Sequence, residues 1–230
     1  MKVGVWQSNY IPWKGYFDYI NSVDVFCLYD EVQYTKNDWR NRNQLLNSNG
    51  LFWVTIPIDS KFTQHKISEV TINNSKVLNK HLKSIQQCYA KAPQKEEVLD
   101  LLSPIYSKEW THLSPLNHTL IKAICKYIGI TTKIVNSKNY ELKPTRLDRL
   151  IHLNTQLGAT TYLSGLNAKN YIDGNESLFN KKNIQLEWKT YGSYLKYQRI
   201  TPLYSDKVSI IDLLMHIPKN QLLNYITPNG

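Results

Sequence analysis

Cysteine is scarce in this sequence: Cys27, Cys88 and Cys125 are the three in 230 residues, and they stand far apart. No CxxC pair or Cys/His ligand spacing is present, which excludes a structural zinc motif and points to a reducing compartment, the cytosol. Long apolar runs are missing too. No stretch approaches the roughly 20 residues a bilayer-spanning helix needs. The opening MKVGVWQSNY lacks the charged-then-apolar order of a signal peptide and is expected to be a buried strand. There is no glycine-rich phosphate loop, no Ser-His-Asp pattern and no G-x-S-x-G elbow, so P-loop and serine-hydrolase chemistries find no support.

What the sequence does have is tyrosine, 16 residues of it, and positive charge: the formal net charge is +10 and the sequence pI about 9.3. A basic balance favours a polyanionic ligand such as a nucleotide, a sugar nucleotide, tRNA or an acidic membrane surface. The lysines are scattered, with no block of five like charges, so an ordinary lysine-rich surface stays open as the alternative. At 230 residues the chain is long enough to bury a sizeable core, and 1–230 reads as one unit.

The run Lys2–Gln7 is short, apolar and β-prone, and stops at a Ser-Asn-Tyr-Ile-Pro turn. A helical segment from Trp13 to about Asn21 follows, then the strand VDVFCLYD ending at Asp30. Strand, turn, helix, strand within thirty residues predicts a βαβ unit and a parallel sheet. Further strands are expected at LFWVTIPI (51–58), ISEVTI (67–72), TTKIVN, Thr161–Leu163 and Ile184–Trp188, with 59–66 a mobile polar loop. Between Val77 and Tyr127, Leu82, Ile85, Tyr89, Leu116, Leu120 and Ile124 recur at helical spacing, broken by Pro93, Pro104 and Pro115. A helix is predicted over Arg146–Leu157, and Ser209 with Asp212 reads as a capping box. The fold class is therefore α/β: a Rossmann-like, mostly parallel sheet with a helical middle, about 77–128, that could be an insertion.

Two clusters could carry chemistry, both at strand ends, where open parallel sheets bind ligands. The first holds Gln7, Asn9, Tyr10, Trp13, Lys14 and Gly15 at a strand-to-helix turn. A helix N-terminus favours phosphate or carboxylate, and a glycine there lets a ligand or another backbone approach. Trp13, Tyr16 and Phe17 can equally just dock the helix. The second runs from Asp30 through Gln33, Lys36, Trp39, Arg40, Asn41, Arg42 and Asn43. Arg40 and Arg42 offer forks for phosphate or carboxylate, and Trp39 a face for a base or sugar. A polar surface loop with local Asx turns is the plainer alternative. Weaker candidates are His81, a general base or a structural histidine, and Ser164, a phosphate ligand or a turn residue. Tyr191, Tyr194 and Tyr197 with Gln198 are an aromatic wall or packing.

The run Q-x-N-Y-x-P-W-x-G-Y-F from Gln7, then D-V-F-x-x-x-D-x-V-Q-Y-x-K-x-x-W-R-N-R-N from Asp24, resembles the N-terminal signature of the WbqC-like family. Val54–Pro57, Lys80–Lys83, Tyr162–Gly165 and Ser209–Leu214 extend the likeness over nearly the whole chain, with Ser8 replacing a usual proline. The resemblance implies a bacterial transferase of O-antigen or other surface-polysaccharide biosynthesis. It would modify a nucleotide-linked amino sugar by N-acyl, for example glycyl, transfer. Asp30 or His81 would take the amine proton, and ATP, another activated acyl donor or an aminoacyl-tRNA would supply the group. Pro12–Tyr16 also falls where HUP-type nucleotidylyltransferases carry H-x-G-H, but W-x-G-Y lacks both imidazoles. A nucleotidylyltransferase and a non-catalytic sugar- or nucleotide-binding partner are the competing readings.

Overall fold

The structure, a computed structural model, describes residues 1–59, 61, 64–201, 203 and 205–228. Part of the loop expected at 59–66 (Ser60, Phe62 and Thr63) lies outside the described residues. The chain opens with β1 (Lys2–Trp6), α1 (Lys14–Asn21) and β2 (Val25–Leu28). The two strands pair in parallel from Val3 opposite Val25 to Trp6 opposite Leu28, so the expected βαβ unit is present. All four residues of β2 are buried, as a strand covered on both faces requires. Side chains alternate across it: Val25 and Cys27 join one apolar cluster, Phe26 and Leu28 the other.

Next comes an antiparallel hairpin of β3 (Arg42–Asn47) and β4 (Gly50–Thr55). The expected strand at 51–58 is thus shorter, and its partner lies in a stretch that reads as polar. ISEVTI is not a strand. Ile67–Glu69 is a 3-10 turn, and only isolated bridges, Thr71 to His112 and Ile72 to Ile58, follow it. The spacing of Ile67 and Val70, both buried, is three, which suits a turn of helix and not a pleat.

The helical middle is α2 (Val77–Cys88), α3 (Lys95–Tyr106) and α4 (Leu113–Ile128). Gly129, at φ 95°, provides the left-handed stop that ends α4. The sequence then alternates: β5 (Lys133–Asn136), α5 (Arg146–Gln156), β6 (Thr161–Gly165), α6 (Lys169–Ile172), α7 (Glu176–Asn180) and β7 (Gln185–Lys189), closing with α8 (Ile210–His216) and α9 (Leu222–Ile226). Ser164 and Gly165 belong to β6 and are not a turn. Ser209 does cap α8 by accepting the Ile211 N–H, but Asp212 is not its boxing partner. The Asp212 carboxylate instead accepts from Tyr89, Tyr197 and Arg199.

Five strands form one sheet in the order β5-β2-β1-β6-β7, every pair parallel. This is the Rossmann-like order in which the sequence of strands reverses direction beside β1. One face carries α1 together with α2, α3, α4, α8 and α9 in a single apolar cluster. The other face packs Val3, Val5, Val25 and Tyr162 against Leu150 and Leu153 of α5, Ile172 of α6 and Phe179 of α7. Each such side chain taken fully out of water contributes about 1.5–3 kcal/mol.

The reversal point has a structural device of its own. β1 and β6 pair only from Lys2–Thr161 to Gly4–Leu163, and then part. The Tyr19 side chain, from α1, enters the gap: its hydroxyl accepts the Val5 N–H at 3.3 Å and donates to the Leu163 carbonyl. Two backbone groups that would otherwise lose their ladder partners are thereby satisfied while the strands diverge. Past this plug the strand ends splay into a crevice.

Candidate functional site in the crevice at the strand ends

A cavity of about 840 Å³ occupies that crevice. Its floor comes from strand ends: Val5 to Gln7 of and after β1, Tyr29 just beyond β2, and Tyr162, Ser164 and Gly165 of β6. Its walls are the 32–40 segment, the start of α5, the Leu166–Ala168 turn with Tyr171, and Tyr191 after β7. Short parallel strands with turns at their carboxyl ends place side chains there by construction, and this end of such sheets binds ligands.

Four of the expected site residues line the cavity: Gln7, Gln33, Arg40 and Ser164. Arg40 is 8% exposed and fixed by its neighbours. One amino group donates to the Gln7 side chain at 2.9 Å, the other to the Asn9 side chain, and Asp38 lies 3.5 Å away. Asn9 therefore contacts Arg40 and does not itself line the cavity. The Asp38 carboxylate accepts from the Thr35 hydroxyl and the Trp39 N–H, both at 2.7 Å. Burial raises its pKa, but the Arg40 charge and these bonds outweigh burial and hold it below the usual 3.8.

The other expected residues lie outside the lining, and most have structural partners. Asp30 is 1% exposed. One carboxylate oxygen accepts the Ser8 N–H at 2.8 Å, and the other meets the hydroxyls of Ser8 and Ser114 and Nε2 of His118. Burial pushes this carboxyl up, yet His118, Ser114 and the Ser8 backbone bring it below 3.8. A base needs a free lone pair facing substrate, and both Asp30 oxygens are already engaged. Ser114 and Asp30 both approach the same His118 nitrogen, so the trio is not a nucleophile relay. His81, on α2, is buried against Tyr10, whose hydroxyl also meets Tyr106, both contacts being 2.9 Å. Burial lowers the His81 pKa to about 4, against a smaller opposing contribution from the Thr55 backbone.

The turn before α1 is likewise filled from within. Ile11 is held at φ 36°, a strained value for a β-branched residue. Asn43 donates to the Tyr10 and Ile11 carbonyls, and the Ser209 hydroxyl adds a bond to Ile11. The Trp13 ring lies so close over Gly15 that an added Cβ would come within 2.3 Å of it. Gly15 thus admits a side chain of its own protein, and the helix N-terminus expected to receive an anion is covered. Lys14 points to Asp206 at 2.9 Å and lies over Tyr194. Asn41 bridges Tyr34 and the Ile56 carbonyl. Arg42 stacks on Trp53, which also faces the exposed Trp39, and Lys36 is exposed. Tyr191 is in the cavity wall, but Tyr194 and Tyr197 bond Asp18 and Asp212.

Sequence reasoning passed over two of the cavity's three guanidiniums, Arg146 and Arg149 of α5, and the aromatic residues Tyr29 and Tyr171. The available signal was their spacing: two arginines three apart in a helix's first turns, on one face, just past a strand. With Arg40 they set three guanidiniums against one carboxylate, Asp38, among the described lining residues. That balance suits an anionic ligand with polar groups.

Among the described residues no helix is long and apolar enough to cross a membrane, and no group of three or more His, Cys, Asp or Glu is arranged to hold a metal ion. No solved structure matches the chain significantly. The uncharacterized protein Rv1507c of Mycobacterium tuberculosis (strain ATCC 25618 / H37Rv) is 43% identical over 218 residues, which cover 94% of each chain. The WbqC-like protein family matches residues 7–223, a span that includes both N-terminal motifs and the whole cavity apart from its edge at Val5 and Trp6. With agreement over that length, this chain belongs to the WbqC-like protein family.

Proposed function

We propose that the chain is a cytosolic transferase of surface-polysaccharide assembly that binds a nucleotide-linked amino sugar in the strand-end cavity and acylates its nitrogen. The observation that carries the reading is the cavity itself: about 840 Å³, at the reversal point of a Rossmann-like sheet, with Gln7, Arg40, Asp38 and Ser164 converging on it. That volume falls in the range of roughly 300–1,000 Å³ typical of small-molecule sites. Amides, a hydroxyl and a carboxylate suit sugar hydroxyls and an amine, and the guanidiniums suit phosphate.

In the transfer, the amine nitrogen bonds to the acyl carbonyl carbon, and the bond to the donor's leaving oxygen breaks with its electron pair. The amine proton passes to water, since the Asp38 carboxylate is engaged by Thr35, Trp39 and Arg40 and held below the usual 3.8. Asp30 and His81 serve the fold in this reading, since neither lines the cavity. The donor is an acyl-adenylate made from ATP or an aminoacyl-tRNA.

Titration calorimetry with nucleotide-linked amino sugars is expected to give micromolar binding that Gln7→Ala and Gln33→Ala weaken several-fold. Mass spectrometry of the sugar after incubation with ATP and a small acid should show an added acyl group, with AMP and pyrophosphate released. Transfer that requires intact aminoacyl-tRNA and is abolished by ribonuclease assigns the other donor. Binding without any mass change would overturn the transferase and favour a non-catalytic binding partner, a reading supported by the engagement of Asp30 and His81 elsewhere. Pyrophosphate released with no acid present would favour a nucleotidylyltransferase.

A further inference from the structure

Two sets of polar side chains meet at the cavity. One is Arg40 with Gln7, Asn9, Asp38 and Thr35, in which the positive charge is balanced by a carboxylate. The other lies on the β2–α5 side and holds Arg149, Arg146 and Tyr29. Here the cations have no carboxylate partner among the described residues.

Arg149 is half-buried and held by neutral acceptors. Its Nε donates to the Lys143 carbonyl at 2.8 Å, Nη2 to the Pro144 carbonyl at 2.8 Å, and Nη1 reaches the Glu31 carbonyl at 3.4 Å. A guanidinium has five N–H donors, so these three bonds fix its plane, and beyond them it also interacts with the Tyr29 hydroxyl. If fastening the 143–144 loop were its whole role, no cavity would be needed in front of it. Arg146, one turn earlier on α5, is exposed and stacks on Tyr171 with its central carbon 3.9 Å from the ring centre. The stack orients its fork without neutralising it.

The third member is the Tyr29 hydroxyl. Tyr29 is 7% exposed, lines the cavity beside Arg149, and its hydroxyl has no well-formed hydrogen bond. A buried hydroxyl left in that state costs about 1–3 kcal/mol, which an acceptor from a ligand would recover. Burial raises its pKa to about 12, with Arg149 opposing the rise, so the hydroxyl keeps its proton and donates.

We propose that Tyr29, Arg146 and Arg149 form a subsite for a diphosphate group, taking the bridge between nucleoside and sugar while the Arg40 network faces the sugar. The proposal rests on the reading that a nucleotide-linked sugar occupies the cavity, and it names the end at which the phosphates lie. Two forks and a neutral hydroxyl donor match two adjacent phosphates better than one carboxylate.

The test is titration of the full chain with inorganic pyrophosphate, uridine diphosphate, adenosine diphosphate and the corresponding nucleosides, followed by calorimetry or amide chemical shifts. Both nucleoside diphosphates should bind at least tenfold tighter than their nucleosides, with affinity falling as salt rises. Tyr29→Phe, which removes one oxygen and keeps the ring, should weaken diphosphate binding about threefold to tenfold, and Arg146→Ala about tenfold. Arg149→Lys should weaken it as well, and thermal melting of each variant separates lost binding from lost folding. Diphosphates that bind no better than nucleosides, or undiminished binding in folded Tyr29→Phe and Arg146→Ala, overturns the subsite. If the nucleotide-linked sugar still binds those variants as tightly as the wild type, the subsite falls and the functional reading stands. If the diphosphates bind as expected but no nucleotide-linked sugar does, the subsite stands and the functional reading falls.

Discussion

Asn41, Asn43, Asp30 and His81 are as polar as Gln7, Gln33, Arg40 and Ser164, and all eight stand out in the sequence. The structure separates them by what surrounds them. Asn43 spends its amide on two carbonyls of the strained Tyr10–Ile11 turn, and Asp30 ties together Ser8, Ser114 and His118. Residue type announces hydrogen-bonding capacity, but the partner comes from elsewhere in the chain, so backbone and ligand partners look alike in sequence. Arg146 and Arg149 were hidden for the opposite reason, since charged residues in a helix's first turns ordinarily face water. His81 offers a direct check. Its folded pKa of about 4 lies below the ordinary 6.5, so its neutral form is favoured by folding. Above pH 6.5 this group adds no pH dependence; as pH falls from 6.5 to 4 the unfolded chain takes up the proton and stability drops, by up to about 3 kcal/mol. Urea unfolding across that window should show the slope in the wild type and a flatter one in His81→Leu, where Tyr10 keeps its bond to Tyr106. Equal slopes would remove His81 as the cause.

At the scale of elements, the first βαβ unit was legible because its apolar runs and its turn are local. The hairpin strand β3 was not. Four of its six residues, RNQLLN, are polar, and its buried Asn43 holds a turn about thirty residues earlier. ISEVTI carries β-branched residues, but its apolar spacing does not alternate, and the chain there forms a 3-10 turn and two bridges. Tyr19 is the element-scale feature with most consequence, because it lets β1 and β6 separate without orphaning their backbone groups. A pattern of apolar residues at helical spacing gives Tyr19 a place in α1 and says nothing of its hydroxyl. Tyr19→Phe should therefore destabilise the protein by about 1–3 kcal/mol, the usual cost of leaving buried polar groups unpaired. Hydrogen exchange should locate the loss at the Val5 amide; a Val5 amide as protected as before would mean that the ring alone holds the split.

For the whole molecule, the parallel sheet and the expectation of a site at its strand ends followed from alternating elements, whereas the order β5-β2-β1-β6-β7 required the fold. That order decides which motif residues share a cavity. It brings Gln7, Gln33, Arg40 and Ser164 to one crevice and adds Tyr29, Arg146 and Arg149 from segments with no conspicuous motif. The net charge of +10 is spread over the surface, but in the cavity it becomes three guanidiniums around a defined volume. The most direct measurement is the crystal structure of the protein soaked with a uridine diphosphate-linked amino sugar. The account predicts density in the strand-end crevice, with the diphosphate against Tyr29, Arg146 and Arg149 and the sugar against Gln7, Arg40 and Ser164. Density on the exposed Trp39–Trp53 pair, or at the Lys14 end of α1 with the crevice empty, would contradict it.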